Sequence, residues 1–332
     1  MISLKPLGFR PFCPNFKSKT NRMKTPDIVT LTINPSLDKS TKFKGLVPEQ
    51  KIRCEAPHYD AGGGGINVSK AISRLGGSSL CVFTSGGSSG QKLESLVAAE
   101  KIDYSAIPVQ NPTRENLIAL EIASNAQYRF GFPGAPISEK EQQEILKKIA
   151  ELKPKYYVAS GSLSEGMAPD FYQKIAKIAT GNGSRLIVDT SGEALEKVLE
   201  TGIYLAKPNI GELAKLVGVE RLEMDDADDA AKQLVHQGKA EIIVVSLGPQ
   251  GAVLVSKAEK HFIPAPHVAK KSTVGAGDSM VGGIVWALSQ GKSLKEAAQW
   301  GVACGSAATM NEGTQLFKAE DARRLFEWLR KR

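Results

Sequence analysis

The sequence predicts an α/β protein with a mainly parallel central sheet, helices on both of its faces, and a small β-sheet lid. Three observations point there. From residue 27 onward, short apolar runs of β-type composition alternate with stretches of helical period. Two segments, about 39–60 and 105–132, break that alternation with β-rich pieces that have no helix between them. Two glycine clusters stand where a strand or loop leads into a helix.

The strand candidates are residues 28–33, 80–83, 156–159, 186–188 and 242–245. Each is a short, dense apolar run, as expected of strands covered on both faces. Between them, residues 66–75, 92–99, 139–152 and 171–179 repeat apolar positions every three or four residues, the spacing of a helix with one buried face. Strands separated by helices make βαβ units and a parallel sheet. Three further helices are expected near 277–289, 294–309 and 319–331. In the two irregular segments, residues 52–56, 117–122 and 128–132 read as antiparallel strands of an accessory sheet, inserted as a lid. Its exposed face and edges call for cover, which a second copy of the chain would give.

A length of 332 residues allows one large or two medium domains. We expect one α/β domain over residues 26–332, behind a flexible basic extension over 1–25. A hydrophobic content of 42% excludes a disordered chain, and no apolar run approaches the roughly 18 residues of a membrane-spanning helix. Cys13, Cys54, Cys81 and Cys304 lack C-x-x-C or metal-type spacing and read as free thiols in a reducing compartment. Four histidines argue against a His-based zinc or iron site.

Of the net charge of +8, six charges come from residues 1–24, which hold Lys5, Arg10, Lys17, Lys19, Arg22 and Lys24 and no acid. The remainder is near neutral, which argues against a nucleic-acid partner. Residues 1–25 contain Pro6, Pro11 and Pro14, show no helical period, and lack a secretory apolar stretch. They read as a short extension or, if translation starts at Met23, as sequence upstream of the protein; an organellar transit peptide is the alternative. The expected location is the cytoplasm, or an organelle on that alternative.

The first glycine cluster is Ala61-Gly62-Gly63-Gly64-Gly65-Ile66-Asn67. Four consecutive glycines let the backbone approach a ligand closely, and the helix behind them offers unpaired N–H groups. It is not a dinucleotide fingerprint, because Asn67 stands where the third glycine would be. The second is Ser272-Thr273-Val274-Gly275-Ala276-Gly277-Asp278, running into an apolar helix. Its glycines expose amides at a helix N-terminus, where the dipole favours an anion. Asp278 is either a helix-capping carboxylate or a base beside that anion hole, taking a proton from a hydroxyl that attacks a phosphoryl group. A P-loop is excluded: the one Gly-Lys-Ser, at 291–293, has Trp286 where the motif needs a glycine.

These two clusters, in this order, resemble the signature regions of the PfkB (ribokinase-like) carbohydrate kinases. The resemblance extends to Asn34-Pro35-Ser36-Leu37-Asp38, Ser160-Gly161-Ser162-Leu163, Lys207-Pro208-Asn209 with Glu212, and Ser246-Leu247-Gly248-Pro249-Gln250-Gly251, and so covers residues 27–330. It implies a ribokinase-like three-layer α/β/α sandwich. Within the family, Lys51-Ile52-Arg53-Cys54, Gln127-Tyr128-Arg129-Phe130 and residues 273–283 are most similar to the bacterial PfkB-type 6-phosphofructokinases. The implied reaction is ATP-dependent phosphorylation of fructose 6-phosphate.

On that resemblance Asp278 is the base on the sugar hydroxyl, with the amides of Gly275, Ala276 and Gly277 stabilising the transferring phosphoryl group. Ser36, Asp38, Gly63, Gly64, Gly65 and Asn67 close round the sugar, while Lys51, Arg114, Asn116, Arg129 and Ser162 serve its phosphate end. Lys207, Asn209, Ser246, Gly248, Gly251 and Thr273 border ATP. Glu212 organises Mg²⁺ through water. Ser272, Val274, Ala308, Asn311 and Gly313 match positions that hold a monovalent cation, K⁺. The implied assembly is a homodimer through the lid, with no nucleic acid and no membrane. Related readings are 1-phosphofructokinase and tagatose-6-phosphate kinase. A non-catalytic sugar-phosphate sensor is a different reading, against which Asp278 and its glycines stand, since binding alone needs no base.

Overall fold

The computed structural model describes residues 26–313 and 315–332, and the expectations for residues 1–25, with Cys13 among them, lie outside the described residues. In the N-terminal part the chain runs β1 (Ile28–Thr32), β2 (Ser36–Phe43), β3 (His58–Gly62), α1 (Gly64–Arg74), β4 (Leu80–Ser85), α2 (Gly87–Ala99), β5 (Tyr104–Pro108), β6 (Arg114–Glu121) and β7 (Gln127–Gly131). It continues through α3 (Glu139–Glu151), β8 (Tyr156–Ser160), α4 (Phe171–Gly181), β9 (Arg185–Asp189), α5 (Glu193–Leu199), β10 (Ile203–Ala206), α6 (Ile210–Leu216) and α7 (Ala227–His236). It ends with β11 (Ala240–Ser246), β12 (Gly251–Ser256), β13 (Lys260–Pro264), α8 (Ala276–Ser289), α9 (Leu294–Thr309) and α10 (Ala319–Arg330).

Among the described residues, nine strands form the central sheet in the order β13-β12-β11-β10-β9-β8-β1-β4-β5. All neighbours pair in parallel except β11 with β12 and β12 with β13. Side-chain alternation along each strand divides the core in two. Tyr157 and Ala159 of β8 join the cluster that α3, α4, α5 and α7 cover, whereas Tyr156 and Val158 join the one under α1, α8, α9 and α10. That is the three-layer sandwich. On the second face, Trp300 of α9 stacks on Phe326 of α10 at 4.1 Å between ring centroids, which locks the last helix onto α9.

The lid is a separate four-stranded sheet, β3-β2-β6-β7. Three expectations about it are corrected. Residues 104–108 pair in parallel with β4 and so belong to the edge of the central sheet, not to the lid. The lid is not wholly antiparallel, because β2 and β6 run parallel over eight residue pairs. The strand expected at 52–56 is only a single bridge from Cys54 to Phe43, and the lid strand is β3, which begins at His58. The described cysteines, Cys54, Cys81 and Cys304, are free. Among the described residues, no helix is long and apolar enough to cross a membrane.

Candidate active site

In a parallel sheet the strands end side by side, and here the carboxyl ends of β8, β9 and β10 bring Ser160, Asp189 and Lys207 to the foot of α8. Gly275 precedes α8 with φ 73°, a left-handed turn that glycine adopts freely, and Leu316 lies where its side chain would be. Asp278 follows in the first helical turn. Its carboxylate does not serve as a cap: Oδ2 accepts from Asn67 Nδ2 at 2.9 Å and Oδ1 from Ser160 Oγ at 3.5 Å. Burial, and then the negative charge of Asp189, push the Asp278 carboxyl up to about 6, against the pull of Asn67, Lys207 and Ser160. A carboxylate in that range is a competent base near neutral pH.

Asn67 reaches Asp278 because the glycine loop lets α1 begin against the end of β8. A Cβ on Gly64 would stand 2.2 Å from Ser160 Oγ, so no side chain fits there. Lys207 is buried and paired with Asp189 Oδ1 at 3.1 Å. Burial draws its ammonium down, but Asp189, Asp278 and Glu212 outweigh burial and the net direction is upward, so Lys207 stays charged. A Cβ on Gly277 would lie 3.6 Å from Lys207 Nζ, which sets this cation beside the glycine amides of the anion hole. Asn209 and Glu212 form a reciprocal capping box at the start of α6, with Asn209 N donating to Glu212 Oε2 at 2.9 Å. Burial raises the Glu212 carboxyl, with Asp189 adding to that, although Lys207 and the Asn209 amide oppose it.

The lid presents a second group. Ser36 is registered opposite both Gly62 and Arg114, Asp38 opposite Asn116, and Ile118 opposite Arg129. By period-two alternation Ser36, Asp38, Gly62, Arg114, Asn116 and Arg129 therefore share one face. Asp38 Oδ1 accepts from Ser36 Oγ at 2.7 Å and from Asn116 Nδ2 at 2.8 Å. Ser36 and Asn116 thus orient Asp38. Arg114 donates to Asn116 Oδ1, Phe132 O and Asn34 O at 3.2–3.4 Å, while its buried Nε has no partner. The planar guanidinium on this face has the donor geometry that suits a phosphate. Asn34 Nδ2 in turn donates to the Ser162 hydroxyl at 3.2 Å.

A cavity of about 350 Å³ opens on the other side of α8, lined by Ser246, Gly248, Gly251, Thr273, Ala276 and Gly277 among others. Its size and its apolar walls suit a nucleotide. Close by, Ser272 Oγ donates to Gly313 O at 3.0 Å and Val274 N donates to Ser272 Oγ at 3.2 Å. Ser272 N donates to Thr309 O at 3.2 Å and Asn311 N to Ala308 O at 3.2 Å, so Ser272, Val274, Ala308, Asn311 and Gly313 meet at the carboxyl end of α9.

Lys51 and Arg129 are exposed, Lys51 in the loop after β2, and no polar contact joins either to the other site residues. Three residues escaped the sequence reading as site members. Ser160 and Asn34 stood inside motifs that were noted, but their bonding partners lie more than a hundred residues away. Asp189 had no local signal: a lone carboxylate ending a strand has nothing around it to mark it.

Residues 31–321 match the family described as pfkB family carbohydrate kinase. The chain is 43% identical over 304 residues to the ATP-dependent 6-phosphofructokinase isozyme 2 of Escherichia coli (strain K12), a match covering 91% of this chain and 98% of that protein. The crystal structure of phosphofructokinase-2 from Escherichia coli in complex with fructose 6-phosphate aligns with a TM-score of 0.87 at 42% identity, covering 91% of this chain and 99% of that one. The structure of that enzyme in complex with potassium gives 0.88 at 43% identity, with the same coverage.

Proposed function

The chain belongs to the pfkB family of carbohydrate kinases, and on that footing we propose that it transfers the γ-phosphoryl group of ATP to the 1-hydroxyl of fructose 6-phosphate, giving fructose 1,6-bisphosphate. One observation carries this reading. The first turn of α8 lines the nucleotide-sized cavity through Ala276 and Gly277, and its Asp278 is hydrogen-bonded to Asn67 of α1, the helix that follows the sugar-side glycines. The base thus stands between two substrate sites.

Asp38, held by Ser36 and Asn116, accepts hydrogen bonds from sugar hydroxyls through its less occupied oxygen. The Arg114 guanidinium takes the 6-phosphate, with Ser162 beside it through Asn34, and with Lys51 and Arg129 supplying further positive charge from the lid. Asp278 removes the proton of the attacking hydroxyl, and the new O–P bond forms as the bond to ADP breaks. The amides of residues 275–277 and the Lys207 ammonium stabilise the charge on the phosphoryl group in flight. Asn209, Ser246, Gly248, Gly251 and Thr273 hold the nucleotide.

The donor sets fit two cations. Asp189 and Glu212 offer hard carboxylate oxygens around a single ammonium, which suits Mg²⁺ with its preference for one or two carboxylates completed by water and phosphate. Glu212 would hold it through water, and the ion supplies charge neutralisation on the triphosphate. The hydroxyl and carbonyl oxygens of the Ser272–Gly313 contact suit K⁺.

The lid exposes Leu46, Val47, Ile122, Phe130 and Phe132, the last at 55%. A second copy packed on it makes a homodimer, and sedimentation of the protein at micromolar concentration as a monomer would refute that assembly. For the reaction itself, the test is initial rates with Mg-ATP, K⁺ and fructose 6-phosphate, fructose 1-phosphate, tagatose 6-phosphate, ribose or adenosine. The expected result is the highest kcat/KM for fructose 6-phosphate. Preference for another phosphosugar keeps the mechanism and replaces the substrate; binding without turnover supports a sensor.

A further inference from the structure

We propose that Lys70 is a positioning residue for the sugar-side loop: from α1 its ammonium grips the end of lid strand β3 and so fixes where residues 62–65 sit. Lys70 is 6% exposed, its Nζ donates to Ala61 O at 2.8 Å, and Glu100 Oε1, at the end of α2, lies 3.9 Å away. Ala61 immediately precedes the glycine run, and Asn67 stands three residues before Lys70 on the same helix. The contact therefore closes a ring from the lid strand through the glycines to α1 and back.

Two physical arguments favour a role beyond packing. An ammonium is expensive to bury, and an apolar side chain would fill the same space more favourably. Here the cost has a use. Asp38 and Asp60 face each other as direct cross-strand partners of β2 and β3, an arrangement that repulsion opposes. Burial draws the Lys70 ammonium down, Glu100 and then Asp60 oppose that most, and His58 pairs with Asp60 from its own strand at 3.2 Å. Lys70 is thus a tether for the strand end beside the carboxylate that recognises the sugar, anchored from the far side by Glu100. The loop has no slack for error: a Cβ on Gly62 would stand 2.3 Å from Asp38 Oδ2, so a small displacement of the loop changes the space open at that oxygen.

The test is steady-state kinetics of wild type, Lys70→Met and Lys70→Arg with each substrate varied, alongside thermal melts. K70M is expected to raise the KM for fructose 6-phosphate about tenfold, with the KM for ATP within about twofold and kcat within about threefold of wild type. K70R, which keeps the charge and the donors, is expected to restore most of the sugar affinity. A merely packing role would lower Tm without separating the two KM values. An unchanged sugar KM in K70M, or a K70R as impaired as K70M, overturns the inference. Should K70M not fold, Glu100→Gln removes the anchor and leaves the lysine. The expected result is then a sugar KM raised about threefold with faster amide exchange at residues 62–65, and no change in either overturns the inference. The inference rests on the assignment of the sugar site. A wild type that does not turn over fructose 6-phosphate sinks that assignment, whereas an active wild type matched by K70M sinks this inference alone.

Discussion

Asn67 donates to Asp278 Oδ2 at 2.9 Å across 211 residues of sequence, and this one bond fixes which oxygen of the carboxylate is the working one. Oδ1 has only the long contact from Ser160 at 3.5 Å and is the oxygen open to a substrate hydroxyl. The glycine loop therefore aims the base as well as shaping the sugar site.

Asp278→Asn keeps the size and the Asn67 contact but removes the proton acceptor. We expect kcat to fall by about three orders of magnitude or more, with calorimetric affinities for ATP and fructose 6-phosphate within a few-fold of wild type. Because the ionised form is the base and its pKa is raised to about 6, wild-type kcat/KM should fall on the acid side of that value. Near-normal turnover in the variant would remove Asp278 from this role.

The same shift carries a stability cost with a definite sign. Folding raises the Asp278 pKa from 3.8 to about 6, so its ionisation opposes the folded state. The penalty is absent below about pH 4, grows between about pH 4 and 6, and is constant above. D278N should accordingly be more stable than wild type at pH 8, by about 1–3 kcal/mol, and close to it at pH 4. Equal urea midpoints at pH 8 would contradict this.

Arg114→Ala should raise the KM for fructose 6-phosphate by about 10- to 100-fold, the loss of charged hydrogen bonds, and alter kcat much less. Arg114→Lys should recover little, because a point charge cannot reproduce a planar donor already bonded to Asn116, Phe132 and Asn34. An unchanged KM in R114A would place the phosphate elsewhere.

Gly64→Ala forces a methyl group against Ser160 and should cost about 100-fold in kcat/KM by displacing Asn67 and the base. Gly181→Ala, at the exposed end of α4 with nothing within 4 Å of the added carbon, should leave the rates unchanged and stabilise by about 0.5 kcal/mol. Activity in G64A equal to that of G181A would show that the loop has room to spare.

The strands buried on both faces were legible because a continuous apolar run such as that of β8 has few other uses. The edge strand β5 was read as lid because its partner β4 lies across a helix, and pairing between distant strands leaves no mark in either one. β10, with four residues, and α5, with seven, are too short to show a period. At the site, motifs were legible wherever the backbone itself is constrained, as in the glycine loops. Asp189 became a site residue only through strand order, which sets the end of β9 between those of β8 and β10. The pair Asn209 and Glu212 was ambiguous for the opposite reason. The spacing that marks a helix start also marks a ligand-binding turn, and here one pair of residues serves as both.

Strand β1, the first of the described strands to be made, ends in the middle of the sheet between β4 and β8. On the ribosome one of its edges finds a partner within about fifty residues, but the other stays open until residues 156–160 emerge. At cellular synthesis rates that interval is on the order of ten seconds. During it an apolar strand with unpaired amides is available to any chain nearby. The order in which the sheet is assembled, and not only its final stability, thus bears on how exposed this strand is while the chain is made.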